Sequence, residues 1–284
     1  MEIRPLTADD VPAADRAAWA ALREHIPDAF AHENEERARR GQYRIAHLLE
    51  TDPDGAWVAE LDGEVVGIGL ALLREGLWGL SLLAMRPDVQ SRGGGRRLLE
   101  ATLRYAEGAR GAIILSSTDP RAMRRYARAG FELRPCMAFA GIVDRSAIPG
   151  GLRSRPGSAS EDRELCDAVS RLVRGAAHGA DLEAMQRAGS TLLIHDDGGW
   201  AAVRDGSVVL LAARDDAIAT DLLWSALAFG ERGATVHLDF IAAGHDWAVQ
   251  ACLAAGLALS PDGPVFTRGD VGPLAPYLPS GAYL

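Results

Sequence analysis

Cysteine is scarce in this chain, and its distribution excludes two common kinds of site. Only three of the 284 residues are cysteine, at Cys136, Cys166 and Cys252. They are odd in number, far apart and outside any Cys-x-x-Cys spacing, which is not the pattern of a disulfide framework or of a zinc site. We therefore expect reduced and mostly buried thiols. The histidines show no metal-ligand spacing either, so no bound metal is expected.

Long apolar runs are also missing. No stretch approaches the about 20 consecutive apolar residues of a membrane-spanning helix. Met1–Leu6 begins an alternating, strand-like pattern without the apolar core of a signal peptide. We therefore expect a cytoplasmic protein with no membrane partner. With 48% hydrophobic residues, the chain can fill the cores of two domains or of one large domain.

Positive charge is in deficit as well. Thirty Lys and Arg residues stand against 39 Asp and Glu, which leaves a formal charge of −9. That sign is wrong for a protein whose main task is to bind phosphate backbones, so nucleic acid is not an expected partner. An acidic surface would attract a cationic amine, although acidity that only serves solubility would look the same.

Hydrophobic periodicity in the first half predicts an α/β fold. Thr7–Asp10 supplies capping chemistry for a helix to about Glu24, and Asp62-Gly63 is typical of a tight hairpin turn. A glycine-rich turn then opens a further helix, and Pro120 and Gly130 bracket the next one. The remaining predicted elements are a second helix over 31–49 and strands over 56–61, 64–72, 77–85, 112–116 and 131–141.

The second half resembles a weakened copy of the first. Leu211–Asp215 repeats the pattern of Leu83–Asp88, and Cys252 falls at the position of Tyr126, but the glycine turn has no counterpart. Chance similarity between two α/β domains would produce the same matches. The Pro- and Gly-rich stretch between the halves is typical of a linker. We therefore predict a first domain over 1–145, a linker over 146–159 and a degenerate second domain over 160–284.

The pattern Gln90-x-x-Gly93-x-Gly95 lies between a predicted strand and a predicted helix. Such a turn directs backbone N–H groups and the helix dipole at one spot, and glycine lets a diphosphate approach the backbone closely. A structural turn that only caps the helix would have the same pattern. No Gly-Lys-Ser/Thr follows, and the glycines are not spaced as Gly-x-Gly-x-x-Gly. A nucleotide-hydrolysing P-loop and a Rossmann dinucleotide site are therefore excluded.

Residues 80–99, which carry this motif after a strand, resemble the acetyl-CoA-binding motif of the GNAT superfamily of N-acetyltransferases. A second motif, Asp119–Phe131, is similar to the family pattern Asn-x-x-Ala-x-x-x-Tyr-x-x-x-Gly-Phe and departs from it only in having Asp119 for Asn. The resemblance covers residues 1–145. It implies a GNAT-type acyltransferase fold, an α/β (α+β) mixed sheet, with acetyl-CoA as the cofactor. Together with the repeat, it implies two tandem GNAT-like domains.

The resemblance assigns cofactor-binding roles by position. The main chain of Leu83, Ala84 and Met85 would pair with the pantetheine arm and polarise the thioester carbonyl. The second motif adds Asp119 and Arg121 to the cofactor-binding set. An arginine near the turn would equally suit a solvated helix face. The amides that would hold the diphosphate, with the arginine side chains among them, belong to Gln90, Ser91, Arg92, Gly93, Gly94, Gly95 and Arg96.

By the same resemblance, Tyr126 donates a proton to the thiolate that leaves when a neutral amine attacks the thioester. A buried core tyrosine on a helix face would occupy the same position. The general base has no family motif. Glu33 and Glu35 are the preferred candidates, and Glu36, His32, Glu75 or a chain of water molecules stay open as alternatives. The cluster at residues 33–37 is also typical of a solvated helix face. The predicted function is acetyl-CoA-dependent N-acetyl transfer to a primary amine of a small molecule or peptide.

Two other functions stay open. The chain also fits a non-catalytic acyl-CoA sensor or interaction module, and the second domain would be an active transferase if its divergent turn still bound the donor. Residues 24–49, where acceptor selectivity resides in the family, do not identify the amine. A homodimer is compatible with the sequence. The apolar, proline-rich segment 273–284 is expected to pack against the body, near the acceptor cleft.

Overall fold

The computed structural model describes residues 1–25 and 32–284, and it divides into two compact units. The first unit contains Met1–Ile114 together with Gly281–Leu284, and the second contains Leu115–Ser280. The linker predicted over residues 146–159 lies inside the second unit. The compact units divide the chain after Ile114 and before Gly281, not at residues 146–159. The linker therefore stays a prediction that rests on the repeat in the sequence.

A mixed sheet forms the centre of the first unit. Its strands are β1 Glu2–Pro5, β2 Ala56–Leu61, β3 Glu64–Arg74, β4 Leu77–Met85 and β5 Gly111–Leu115. They lie in this order across the sheet; β1 to β4 pair antiparallel, and β5 pairs parallel with β4. Asp62 and Gly63 have φ values of 53° and 82°. A two-residue hairpin turn needs such positive values, so the predicted β2–β3 turn is confirmed.

Helices cover both faces of this sheet. They are α1 Val11–Leu22, α2 Glu35–Thr51 and α3 Gly94–Arg104. α1 and α2 pack on one face, in a core that includes Ile45 and Leu82. α3 packs on the other face, where Leu98 joins a cluster with Met85. Because both faces are covered, β3 and β4 have nearly continuous apolar sequences and no clear alternation.

Helix α2 is fixed at its start by a cap and an ion pair. Its predicted start, Ala31, lies outside the described residues. The helix begins at Glu35 because the Asn34 side chain caps it, accepting the Arg37 N–H at 2.8 Å. The Arg37 guanidinium also donates two hydrogen bonds to the buried carboxylate of Asp15 in α1, at 2.9 and 2.7 Å. Such bidentate pairs orient both side chains, so α2 is held in a defined position against α1.

The second unit is built on two sets of strands. They are β6 Glu132–Ile142, β7 Arg155–Gly157, β8 Thr191–His195, β9 Gly199–Arg204, β10 Ser207–Ala213, β11 Thr235–Ala242, β12 Ala258–Gly269 and β13 Tyr277–Leu278. β6 pairs antiparallel with β12 on one side and with β11 on the other. The other set has the order β13-β10-β9-β8-β7. A strand from the first half of the sequence is therefore enclosed by strands from the second half.

The helices of the second unit include the second sequence motif and its counterpart. They are α4 Pro120–Arg128, α5 Arg163–Arg174, α6 Asp181–Arg187, α7 Asp216–Phe229 and α8 Asp246–Ala254. α7 and α8 share a core that contains Leu222, Leu227 and Cys252. α4 carries Tyr126, and α8 carries Cys252 at the matching position of the second half. The two halves thus place equivalent sequence positions on helices.

The structure shows the state of the three cysteines and whether any described helix could cross a membrane. Cys136, Cys166 and Cys252 are all free and buried, which confirms the expected thiols. Burial raises the pKa of the Cys252 thiol to about 12, so this group is not a reactive nucleophile at neutral pH. In residues 1–25 and 32–284, no helix has the length and apolar character needed to cross a membrane.

Candidate functional site

An open edge on β4 is the first component of the site. Leu70 pairs with Leu82 and Ala71 pairs with Leu80, so Ser81 is an extra residue that forms a β-bulge. On the other side, the pairing of β4 with β5 ends at Leu80 and Ile114. Within the described part of the chain, residues 82–85 therefore have a strand partner only in β3. The predicted pantetheine-binding residues lie on this open edge; they are Leu83, Ala84 and Met85.

The turn after β4 is folded back onto the end of that strand. The Gln90 side chain donates from Nε2 to the Met85 carbonyl at 2.9 Å. Ser91 and Gly93 have φ values of 64° and 85°, in the left-handed region. Successive residues in unusual backbone conformations reorient the peptide groups and can direct their N–H groups inwards. The turn is thus compact, and the Gln90 side chain ties its start to the last residue of β4.

The glycines at the start of α3 serve two different purposes. Gly93 is the N-cap in a left-handed conformation, and a Cβ built there would have nothing within 4 Å. Gly94 is buried, and a Cβ there would overlap Met1 Sδ and lie 2.9 Å from Met85 Cε. Gly94 is therefore required because a side chain would not fit there. Gly93 is required because the backbone has a positive φ at this position, and its lack of a side chain leaves the helix start open. With no capping side chain, the first N–H groups of α3 are suited to an anion such as a diphosphate.

Two arginines beside the turn are exposed and can add positive charge. Arg92 makes a long contact of 3.5 Å from its guanidinium to the Asp88 carbonyl. Arg96 is 70% exposed at its side chain and pairs with Glu100 one turn along the helix, at 3.3 Å. Arg97 instead donates to the Met1 carbonyl at 2.8 Å. Of the arginines beside this turn, Arg92 and Arg96 are thus accessible to a phosphate.

The second unit fills the corresponding positions with groups of its own. Leu211 and Ala212 of β10 pair with Leu278 and Tyr277 of β13, and the Ala213 N–H donates to the Pro276 carbonyl at 3.2 Å. These β10 residues correspond to Leu83, Ala84 and Met85 in the repeat. The N-cap of α7 is Asp215, whose carboxylate accepts the Ile218 N–H at 2.9 Å. The edge and the helix start that are open in the first unit are thus both occupied here.

The second sequence motif lies on α4 in the second unit. Tyr126 is 5% exposed, and its ring packs edge-on against Phe266 with centroids 5.5 Å apart. Burial raises the pKa of the Tyr126 phenol above its ordinary value, so it stays protonated at neutral pH. Asp119 caps α4 by accepting the Arg121 N–H at 2.8 Å, and it also pairs with the Arg121 guanidinium at 3.0 Å. The departure from Asn is explained, since Asp and Asn are equally good N-caps.

The two candidate bases lie at the start of α2 in the first unit. The Glu33 side chain is 58% exposed and lies 4.0 Å from Arg37. Glu35 is exposed in the first turn of α2. It borders a shallow depression of about 550 Å³ that Tyr43 and Gln42 also line. Both carboxylates are thus accessible to solvent, and Glu35 is the one that faces a concave surface.

Sequence reasoning missed two polar residues next to the open edge. Arg44 of α2 donates to the hydroxyl of Ser81 at 2.8 Å and also to its main-chain carbonyl. Burial lowers the pKa of the Arg44 guanidinium to about 10. A signal existed, because Arg44 directly precedes the buried Ile45 in α2, and a guanidinium that is partly buried next to core residues requires a polar partner. Its partner is the bulge at Ser81. The position of that bulge depends on strand register and cannot be read from the sequence.

Comparison with known proteins gives the family of this region. The model of the Acetyltransferase (GNAT) family matches residues 19–131. Mycothiol acetyltransferase of Streptomyces coelicolor is 32% identical over 128 residues, which cover 43% of this chain and 40% of that protein. The chain thus spans less than half the length of this curated relative. The matched family region contains both sequence motifs and the open edge of β4.

Solved structures match over almost the whole chain. A putative acetyltransferase from Pyrococcus horikoshii has a TM-score of 0.81 at 17% identity, covering 100% of this chain and 95% of that one. A tandem GNAT protein from the clavulanic acid biosynthesis pathway has a TM-score of 0.60 at 17% identity, covering 94% and 98%. At such identities the likeness concerns the fold alone, and it confirms the predicted α/β fold of tandem GNAT type. The region over residues 19–131 of this chain belongs to the GNAT acetyltransferase family.

Proposed function

We propose that this protein transfers the acetyl group of acetyl-CoA to a primary amine of a small molecule or peptide. The observation that carries the proposal is the open edge of β4 leading into the uncapped start of α3. An open edge suits an extended amide-containing arm, and an uncapped helix start suits a diphosphate. Coenzyme A has both groups in one molecule, in the same order as the two sites along the chain.

Donor binding in this proposal uses mainly main-chain groups. Residues 83–85 would pair with the pantetheine arm, and the amides of residues 90–96 would hold the diphosphate. Arg92 and Arg96 would add charge to the phosphates, because both remain accessible. Asp119 and Arg121 are proposed as further donor-binding residues, and Asp119 also caps the start of α4. The residues present therefore fit the donor in polarity and charge.

The chemical step in this proposal is direct attack of a neutral amine on the thioester carbon. The carbon–nitrogen bond forms, the carbon–sulfur bond breaks, and the leaving sulfur takes a proton from Tyr126. Burial keeps the Tyr126 phenol protonated at physiological pH, so the proton is present when the thiolate leaves. The amine loses its own proton to water or to an accessible carboxylate, for which Glu33 and Glu35 are the candidates. Positioning of the two reactants supplies the remaining acceleration.

The proposal is tested by thiol release from acetyl-CoA across a panel of primary amines. We expect at least one amine to stimulate release about 10-fold or more over the amine-free rate. The panel includes polyamines, amino sugars, arylalkylamines, peptides with a free amino terminus and an amine related to mycothiol, since two relatives carry the name mycothiol acetyltransferase. A protein that binds acetyl-CoA tightly while no amine stimulates release would favour the sensor function instead.

The second half of the chain is proposed to have no donor site. Asp215 and residues 276–278 occupy the positions that the donor would need. We therefore expect isothermal titration calorimetry to give one acetyl-CoA per chain. A matched titration of Gly93→Glu at the same concentrations should show that this single site is greatly weakened, which would assign it to the first half. Two sites per chain, or one site that Gly93→Glu leaves at full affinity, would contradict this assignment.

A further inference from the structure

The segment Gly281–Leu284 belongs to the first unit, where it packs beside the bulge of β4. The Ser81 hydroxyl donates to the Ala282 carbonyl at 2.7 Å. Arg44 donates from Nη2 to the Gly281 carbonyl at 3.1 Å, while the same guanidinium holds the Ser81 hydroxyl and carbonyl. Two consecutive carbonyls of the segment are thus bound by side chains of β4 and α2. The segment is tied directly to the residue at which the open edge begins.

Leu284 fills the space above Gly79, on the part of β4 that precedes the bulge. A Cβ at Gly79 would overlap Leu284 Cδ1, and Leu284 is only 1% exposed. Tyr283 is 4% exposed and packs edge-on against His47 of α2, with ring centroids 6.0 Å apart. Such low exposure shows that Tyr283 and Leu284 are close-packed in their places. They therefore form a fixed boundary at this point of the strand.

The direction of the open edge determines which end of an acyl-CoA meets this boundary. α3, whose start suits the diphosphate, follows the Met85 end of the edge. An arm that pairs with the edge therefore runs from Met85 towards Ser81, and its thioester and acyl group come last. At Leu80 the edge is closed by pairing with Ile114. The acyl group of a donor bound in this way would thus end where Gly281–Leu284 lies.

We propose that Gly281–Leu284 limits the length of the acyl group, with Leu284 as the residue that restricts it to acetyl. This inference rests on the proposed function, because it takes the open edge of β4 as the acyl-CoA site. A longer acyl chain would extend along β4 into the space above Gly79, which Leu284 already fills. A close-packed leucine leaves no room for further methylene groups without being displaced. The hydrogen bonds from Ser81 and Arg44 oppose that displacement.

The test compares acyl-CoA affinities of the full chain carrying Leu284→Ala. We expect the wild type to bind acetyl-CoA more tightly than hexanoyl-CoA. Leu284→Ala should raise the affinity for hexanoyl-CoA relative to acetyl-CoA about 10-fold, because it frees room to bury about two more methylene groups. Leu284→Val, a milder change in case the alanine variant does not fold, should shift the ratio about 3-fold in the same direction. Calorimetry with acetyl-, butyryl- and hexanoyl-CoA gives the ratios, and thermal unfolding confirms that each variant is folded.

Leu278→Ala is the matched control. Leu278 is 2% exposed, lies in β13 of the second unit, and loses the same atoms, so the affinity ratio should stay unchanged. An unchanged ratio in both Leu284 variants overturns the proposal, and so does a wild type that binds hexanoyl-CoA as tightly as acetyl-CoA. Because the readout is binding, a protein that binds acetyl-CoA but transfers nothing refutes the proposed function while Leu284 is still tested. A wild type that binds no acyl-CoA overturns both.

Discussion

Gly93→Glu should weaken acetyl-CoA binding about 100-fold, which corresponds to about 2.7 kcal/mol. Two effects combine. Gly93 has a φ of 85°, a conformation that costs a residue with a Cβ about 1 kcal/mol, so the turn is strained. The new carboxylate would also bind the first N–H groups of α3 and repel the diphosphate that needs them. Asp215 makes the same kind of contact at the start of α7, where it accepts the Ile218 N–H. The substitution would thus give α3 a cap like that of α7.

Gly108→Glu is the control for this substitution. Gly108 has a φ of 80°, and a Cβ there would also have nothing within 4 Å. It follows α3 in the chain, whereas Gly93 precedes it, so the backbone strain and the added charge are matched while the helix start is spared. We expect similar losses of thermal stability in both variants but an acetyl-CoA dissociation constant within about 2-fold of wild type in the control. Equal losses of affinity would show that strain or net charge alone explains the Gly93 result. Gly93→Ala should lose only several-fold, since it adds strain without charge.

Local sequence signals account for most of the first unit. β2 and β4 have the predicted bounds, Ala56–Leu61 and Leu77–Met85, because turn residues border apolar runs on both sides. The Asp62-Gly63 turn follows from the backbone freedom of glycine. Pairing between strands that are far apart in the chain cannot be predicted in this way, because no short sequence pattern shows which strand edges will meet. The position of β6 between β12 and β11 is of this kind, and it is why the compact units do not follow the predicted linker.

The same distinction applies to the site. Gln90, Gly93 and Gly95 belong to one short motif, which predicts a turn that leads from a strand into a helix. Gln90 and Gly93 lie in that turn, and Gly95 lies in the first turn of α3. Sequence could not separate the packing role of Gly94 from the backbone role of Gly93, because that depends on Met1 and Met85. Packing of residues 273–284 was predicted from composition and is confirmed by the burial of Tyr277 and Tyr283. The segment makes contact at two places, the edge of β10 and the bulge of β4. Both contacts depend on strand register, which cannot be read from composition.

Tyr126→Phe should lower kcat about 100-fold and leave the acetyl-CoA dissociation constant within about 2-fold of wild type. The phenylalanine ring keeps the edge-on contact with Phe266 and removes only the hydroxyl, so packing and donor binding should persist. Tyr277→Phe is a matched control, because Tyr277 is also buried and its hydroxyl lies 3.3 Å from His178 Nε2. That variant should lose about 1 kcal/mol of stability from the hydrogen bond but no kcat. Single-turnover kinetics with a reactive amine and thermal unfolding separate the two effects.

The pH dependence of the Tyr126→Phe effect distinguishes a proton donor from a proton acceptor. Burial disfavours the charged phenolate and so raises the pKa of Tyr126, which means that the neutral acid persists through neutral pH and is lost only under strongly alkaline conditions. Over about pH 6 to 9, the ratio of wild-type to variant kcat should therefore stay constant, even as both rates rise with deprotonation of the amine. A ratio that grew with pH over this range would mean that the phenolate is the active form. Tyr126 would then act as the base for the amine, and the thiolate would leave unprotonated or take its proton from water.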